Sequence, residues 1–153
     1  MCGIAGGFGT GPLADRERIA RASRLLATRG PDGEGFKEFH FGDRGGAFLL
    51  HRLLKIQDLT NLSSQPMEFP SGVLAYNGEI YNFQALRSEL EANGVQFRTS
   101  GDTEVVGAAI DYWGLDAIRR FDGMWALAWL DRMSEPCLFR EILSVRSPSF
   151  FVR

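Results

Sequence analysis

An α+β domain is what the order of elements along this chain predicts: strands at both ends, helices grouped between them, and sheet covered by those helices. Three stretches carry the prediction: a glycine-rich apolar segment over residues 3–9, two helical periodicities between Asn82 and Gly114, and an apolar run over 124–130. With 153 residues and 44% hydrophobic content, the chain is long enough for one domain that buries most of its apolar surface. No internal repeat or linker divides it.

Residues 3–9 suit a buried strand that approaches another backbone closely. Asp15 is placed to cap a helix running to about Ala27, with Ile19, Ala22, Leu25 and Leu26 on one face, and Arg29-Gly30-Pro31-Asp32-Gly33 stops it. Residues 35–41 and 47–56 read as a strand pair, and 63–66 and 69–72 as loops. A short strand over 73–76 then turns at Asn77-Gly78, a dipeptide favoured in tight hairpins. Asn82 is a candidate cap for a helix carrying Phe83, Leu86 and Leu90, ended by Asn93-Gly94. Ser100 is the candidate cap of the next, whose Val105, Val106, Ala109, Ile110 and Trp113 fall at helical spacing before Gly114. Residues 124–130 read as a strand covered on both faces, with their aromatic and methionine residues in the core.

A net charge of −2 with interspersed signs leaves no basic footprint for nucleic acid, and no run approaches the roughly 18 apolar residues of a membrane span. Small molecules or proteins are the expected partners. Cys2 and Cys137 are too few for a disulfide framework, and no secretory apolar region opens the chain, so a reducing cytoplasm is expected. His40 and His51 lack the spacing of a zinc site; His51, within an apolar strand, reads as a satisfied structural residue, and no metal is expected.

The chemistry begins at Met1-Cys2-Gly3-Ile4. Removal of the initiator methionine leaves a cysteine with a free α-amine, which titrates around 7.7–8.0 beside a thiol that ionises near 8.5. Nucleophile and base then share one residue.

Further segments follow in order: Arg29-Gly30-Pro31-Asp32, Gln65-Pro66-Met67, Tyr76-Asn77-Gly78-Glu79-Ile80-Tyr81-Asn82, Ser100-Gly101-Asp102-Thr103-Glu104 and Phe121-Asp122-Gly123-Met124. With the first six residues they resemble class II glutamine amidotransferases, and within that class the glutaminase domain of asparagine synthetases. The resemblance spans residue 1 to about 131. It implies an N-terminal-nucleophile hydrolase, a four-layer αββα sandwich of antiparallel sheets, C-terminally incomplete, over residues 1–139. It also implies catalytic roles for Cys2 as nucleophile and for the Asn77 amide and Gly78 N–H as oxyanion donors. Glu79 and Asp102 would meet the α-ammonium of glutamine, and Arg29 with Asp32 would hold a turn beside the site. No cofactor belongs to this half-reaction; ATP and magnesium belong to a synthetase domain or subunit that receives the ammonia.

Two departures stand out. The family pattern His-x-Arg places a cation where this chain has Leu53, with Arg52 one residue early, and neighbouring strand side chains face opposite ways. Arg52 therefore replaces the cation missing at Leu53, and meets the substrate carboxylate, only with a bulge or register shift, which puts glutamine recognition in question. The second departure is residues 140–153, an atypical tail in place of Arg-Asp-x-x-Gly-x-Lys-Pro-Leu. Codons exist for residues 140–151 that, read from the third base, give Arg-Asp-Pro-Phe-Gly-Ala-Lys-Pro-Leu-Phe-Leu, so the tail reads as a frameshift. Its proline and scattered polar residues predict that strand pairing fails after about Phe139. Two other readings are a non-catalytic fragment or binding subunit, and an N-terminal-cysteine hydrolase of another small amide.

Overall fold

The computed structural model describes residues 2–10, 15–54, 64–132 and 139–145. Met1, residues 55–56 of the expected third strand, Ser63, Cys137 and residues 146–153 of the tail lie outside the described residues.

Two antiparallel sheets form. The first has the order β1-β3-β2, from β1 (Gly3–Gly9), β2 (Gly33–His40) and β3 (Gly46–Leu53). The second runs β4-β5-β6-β7, from β4 (Met67–Glu68), β5 (Gly72–Ile80), β6 (Gly123–Asp131) and β7 (Phe139–Val145). Between them in sequence come α1 (Arg16–Leu26), α2 (Phe83–Ala92) and α3 (Asp102–Trp113), the last continued by a 3-10 segment, Gly114–Arg120.

Packing follows from alternation along the strands. Ala47 and Leu49 of β3 meet Val73, Ala75, Ala128 and Leu130 across the space between the sheets. The other face of the second sheet, with Leu74, Tyr76, Leu127 and Trp129, packs on Leu90, Val105, Val106 and Ala109 of α2 and α3. The outer face of the first sheet carries α1: a Cβ built on Gly3 would lie 3.0 Å from that of Leu26. α1 thus packs on the first sheet, and α3 with α2 on the second.

Asp15 caps α1 as expected, its carboxylate accepting from Glu17 N–H at 3.1 Å. The inward stripe differs. Leu25 is 71% exposed and Ser23 is buried, because the stripe runs 19, 22, 23, 26 and Ser23 donates to Glu34 of β2 at 2.7 Å. The expected hairpin at Asn77-Gly78 is also corrected: β5 runs unbroken to Ile80, in register with β6. Nine consecutive pairs with β6 outweigh the local turn preference of the dipeptide.

Asn82 stands at the N-cap of α2 but makes no capping bond; its amide instead donates to Arg120 O at 2.8 Å and accepts from Asp122 N–H at 3.1 Å. Gly101, not Ser100, is the N-cap of α3. In β6, Trp125 and Trp129 are core residues, whereas Met124 is 49% exposed on the face turned toward the first sheet. Strand pairing does not fail after Phe139, since β7 pairs with β6 through Val145↔Met124. The boundary placed between residues 139 and 140 falls at the start of that strand.

Candidate active site

Cys2 stands just ahead of β1. Leu54 N–H donates to its sulfur at 3.3 Å, and the thiol has a longer contact, 3.8 Å, to Leu54 O. Arg29, in the turn after α1, donates through Nε to Cys2 O at 3.3 Å. The Arg-Gly-Pro-Asp turn thus meets the carbonyl of the nucleophile candidate, and the residue after β3 meets its sulfur.

β1 lies against β5 across the inter-sheet space. On β5, Asn77 and Glu79 alternate onto the same face as Val73 and Ala75, toward the first sheet. Gly78 points the other way, where a Cβ would lie 2.5 Å from the Cα of Trp125 and 2.4 Å from Met124 O; only glycine lets the strand pass there. Asn77 Oδ1 is buried without a hydrogen-bond partner, a condition shared among the described residues only with Trp125 Nε1.

Residue 76 is fixed at three points. β4 begins only at Met67, opposite Leu74, and so does not pair with it; Gln65 Oε1 accepts from Tyr76 N–H at 2.5 Å and His51 Nε2 meets Tyr76 O at 3.2 Å. A carbonyl only accepts, so Nε2 carries the proton. Burial pushes the His51 pKa down to about 4, which keeps the ring neutral. The third point is the phenol, which donates to Asp102 Oδ2 at 2.7 Å.

Asp102 opens α3 and is 7% exposed. Ile80 N–H reaches the same Oδ2 at 3.1 Å. Burial raises the carboxyl above its ordinary value; the Tyr76 and Ile80 bonds oppose that shift, and the charge of Glu79 adds to it. The Tyr76 phenol is raised well beyond its usual range by burial, then by Asp102, Glu79 and Cys2. Cys2, Glu79 and Asp102 therefore share one electrostatic neighbourhood around a protonated phenol.

The loop before α3 is clamped from both ends. Buried Glu104 accepts from Arg98 N–H, Thr99 N–H and Thr99 Oγ1 at 2.7–3.1 Å. Arg87 of α2 donates to Thr99 O at 2.8 Å and Gly101 O at 3.1 Å, its guanidinium 4.3 Å from the Phe97 ring centroid.

The structure brings Cys2, Asn77, Gly78, Glu79 and Asp102 to one region. It does not bring Arg52: that guanidinium lies on the α1 side, donating to Ser23 O and Oγ at 3.2 and 2.9 Å and pairing with Glu34 at 3.0 Å. Leu53 takes the opposite face, shared with His51, so β3 makes no bulge. Sequence reasoning missed Tyr76, Arg87 and Glu104. Tyr76 resembled one more apolar strand residue; the buried polar contact at its tip depends on α3, 26 residues away.

A sequence profile described as a glutamine amidotransferase domain matches residues 1–151. The chain belongs to that family. It is 38% identical over 136 residues to asparagine synthetase [glutamine-hydrolyzing] 1 of Bacillus subtilis, covering 84% of this chain and 21% of that one. To asparagine synthetase [glutamine-hydrolyzing] 2 of Oryza sativa subsp. japonica it is 36% identical over 135 residues, covering 86% and 22%. The chain spans about a fifth of the length of these curated relatives. Among solved structures, one titled as the allosteric regulatory enzyme of purine biosynthesis is similar at a TM-score of 0.46 and 25% identity, covering 57% of this chain and 22% of that one.

Proposed function

We propose that this domain hydrolyses the side-chain amide of glutamine to glutamate and ammonia through a thioester on Cys2. The observation that carries the reading is Asn77, on the strand face that looks across to β1: its side chain is half-buried, its oxygen is buried and open to accept from a ligand, and its Nδ2 is the donor the oxyanion needs. A buried polar group left open in a sheet is costly unless a ligand completes it.

In this reading, loss of Met1 frees the Cys2 amine, which takes the thiol proton. The thiolate attacks the amide carbon, and the carbonyl oxygen, now anionic, receives hydrogen bonds from the Asn77 amide and Gly78 N–H. The protonated amine delivers its proton to nitrogen, ammonia leaves, and the thioester remains. Water then attacks the thioester with the amine again as base, releasing glutamate and restoring the thiol. Glu79 and Asp102 receive the substrate α-ammonium. No cofactor is needed for these steps.

By the same reading, ammonia passes to a synthetase domain or subunit that uses ATP and magnesium to make asparagine or a related amide, in the cytoplasm. Leu53, on the inner face where a cation is expected, favours weak recognition of the substrate carboxylate. The tail, residues 140–153, is read as out of frame, and sequencing the coding DNA downstream of codon 139 tests that. Ammonia release from glutamine, against asparagine and simple amides, tests the reaction: release from glutamine with glutamate formed one for one supports it, and no release from processed protein overturns it.

A further inference from the structure

Asp102 poses a problem of charge compensation. It is a buried carboxylate whose structural partners are neutral donors, the Tyr76 hydroxyl and Ile80 N–H, both on Oδ2. The charged and titratable groups around it do not neutralise it. Glu79 of β5 repels it, and no cation of the described residues is among the groups that act on it. Arg87 of α2 spends its guanidinium on the Thr99 and Gly101 carbonyls, Glu104 of α3 is turned to the Arg98 and Thr99 backbone, and neutral His51 of β3 bonds Tyr76 O. A buried anion held only by neutral donors is stable as an anion when a cation arrives to complete it.

We infer that Tyr76 is a positioning residue for substrate recognition: its hydroxyl, with Ile80 N–H, pins one oxygen of Asp102 so that the carboxylate meets the substrate α-ammonium in a single orientation. The inference rests on the glutaminase reading and adds a residue to it. Tyr76 suits the task because its own place is fixed by Gln65 and His51 on its two backbone groups. Its hydroxyl stays a donor at every working pH, because burial and the nearby negative charges hold the proton on the phenol.

The test is Tyr76→Phe in the full chain, which keeps the ring and removes only the donor. The acid limb of kcat/KM for glutamine should move up by about one pH unit, since the donor that favoured the anion is gone. Below the old limb kcat/KM should fall about tenfold with kcat within about twofold, the pattern of lost binding. Preference for glutamine over its analogue without the α-amino group should shrink, and in an Asp102→Asn background Tyr76→Phe should add nothing. An unmoved acid limb with unchanged preference, or effects of the two substitutions that simply multiply, overturns the inference. A 13C titration of the Asp102 carboxyl separates the two levels of argument: a pKa unmoved by Tyr76→Phe overturns the role of Tyr76 whatever the activity. A raised pKa in a chain that releases no ammonia, and whose resonances L-glutamine does not shift, overturns the glutaminase reading and this inference with it.

Discussion

Cys2 and Asn77 approach the site from opposite sheets, and the two sides are held by different means. On the first sheet, the sulfur of Cys2 touches main-chain atoms of Leu54 and its carbonyl meets the exposed side chain of Arg29. On the second, Tyr76, Ile80 and Asp102 sit in a buried network with Gln65 and His51, beside Asn77. On the proposed function, the side that forms and breaks bonds gains from light attachment. Groups that recognise charge gain from being fixed beforehand, because buried polar networks hold position only when each member is satisfied.

That contrast predicts unequal consequences for mutations on the two sides. Cys2→Ala should abolish ammonia release while leaving the melting temperature nearly unchanged, because it removes one sulfur and two weak contacts. Intact mass should show Met1 absent from active protein, and equal activity in the Met1-retaining form would undo the free-amine mechanism. Next in size is Asn77→Ala, expected to lower kcat by about 10²–10³ with a small change in KM, as loss of one oxyanion donor does. Steady-state kinetics decide it. A rise in KM with kcat intact would move Asn77 to substrate binding.

The buried side of the site should also set the pH dependence of stability. His51 titrates at about 4 in the folded chain against 6.5 unfolded, so between these values the unfolded chain binds the extra proton. Its contribution is fully present above about 6.5 and is lost as pH falls toward 4, on the order of 3 kcal/mol over the whole window. Asp102, raised by burial, has the opposite slope and partly offsets it. Urea unfolding of the wild type should therefore lose midpoint between pH 7 and 4.5, and the difference between wild type and His51→Gln should narrow over that range. A constant difference would mean that His51 is protonated in the folded state.

How much of this was legible beforehand follows from where each signal lives. The Asp15 cap and the stop at Asn93-Gly94 are local chemistry, and the sequence shows them directly. Asn77-Gly78 carries strong local chemistry too, yet β6 supplies pairing that overrides it, so a hairpin was expected where a strand continues. The α1 stripe failed at Leu25 because Ser23 is drawn inward by Glu34 and Arg52, two partners on other elements. For the candidate site, the ordered motifs single out Cys2, Asn77, Glu79 and Asp102, and their coming together in one region was legible to that extent. The supports were not: the Tyr76–Asp102 and Arg87–Gly101 bonds join elements that only tertiary packing brings together.

The smallest expected effect probes the one place where the first sheet departs from its family pattern. If recognition of the substrate carboxylate is weak because Leu53 faces inward where a cation is expected, Leu53→Arg should lower KM for glutamine, by about tenfold if the guanidinium pairs bidentately with the carboxylate. The gain should vanish for glutamine amidated at the α-carboxyl, which offers no anion. Arg52→Ala should leave KM unchanged and instead lower stability, since it leaves Glu34 without its cation and Ser23 O without a donor, each within the α1 contact. A large rise in KM with Arg52→Ala, and no gain from Leu53→Arg, would mean that Arg52 turns inward when substrate binds. The antiparallel register that pairs Arg52 with Gly3 and Glu34 would then have to shift by one residue, carrying His51 off the Tyr76 carbonyl. The bond to the Tyr76 carbonyl is what holds the His51 pKa up against burial, so losing it would push that pKa down, and the His51 titration with and without glutamine provides an independent reading of the same register.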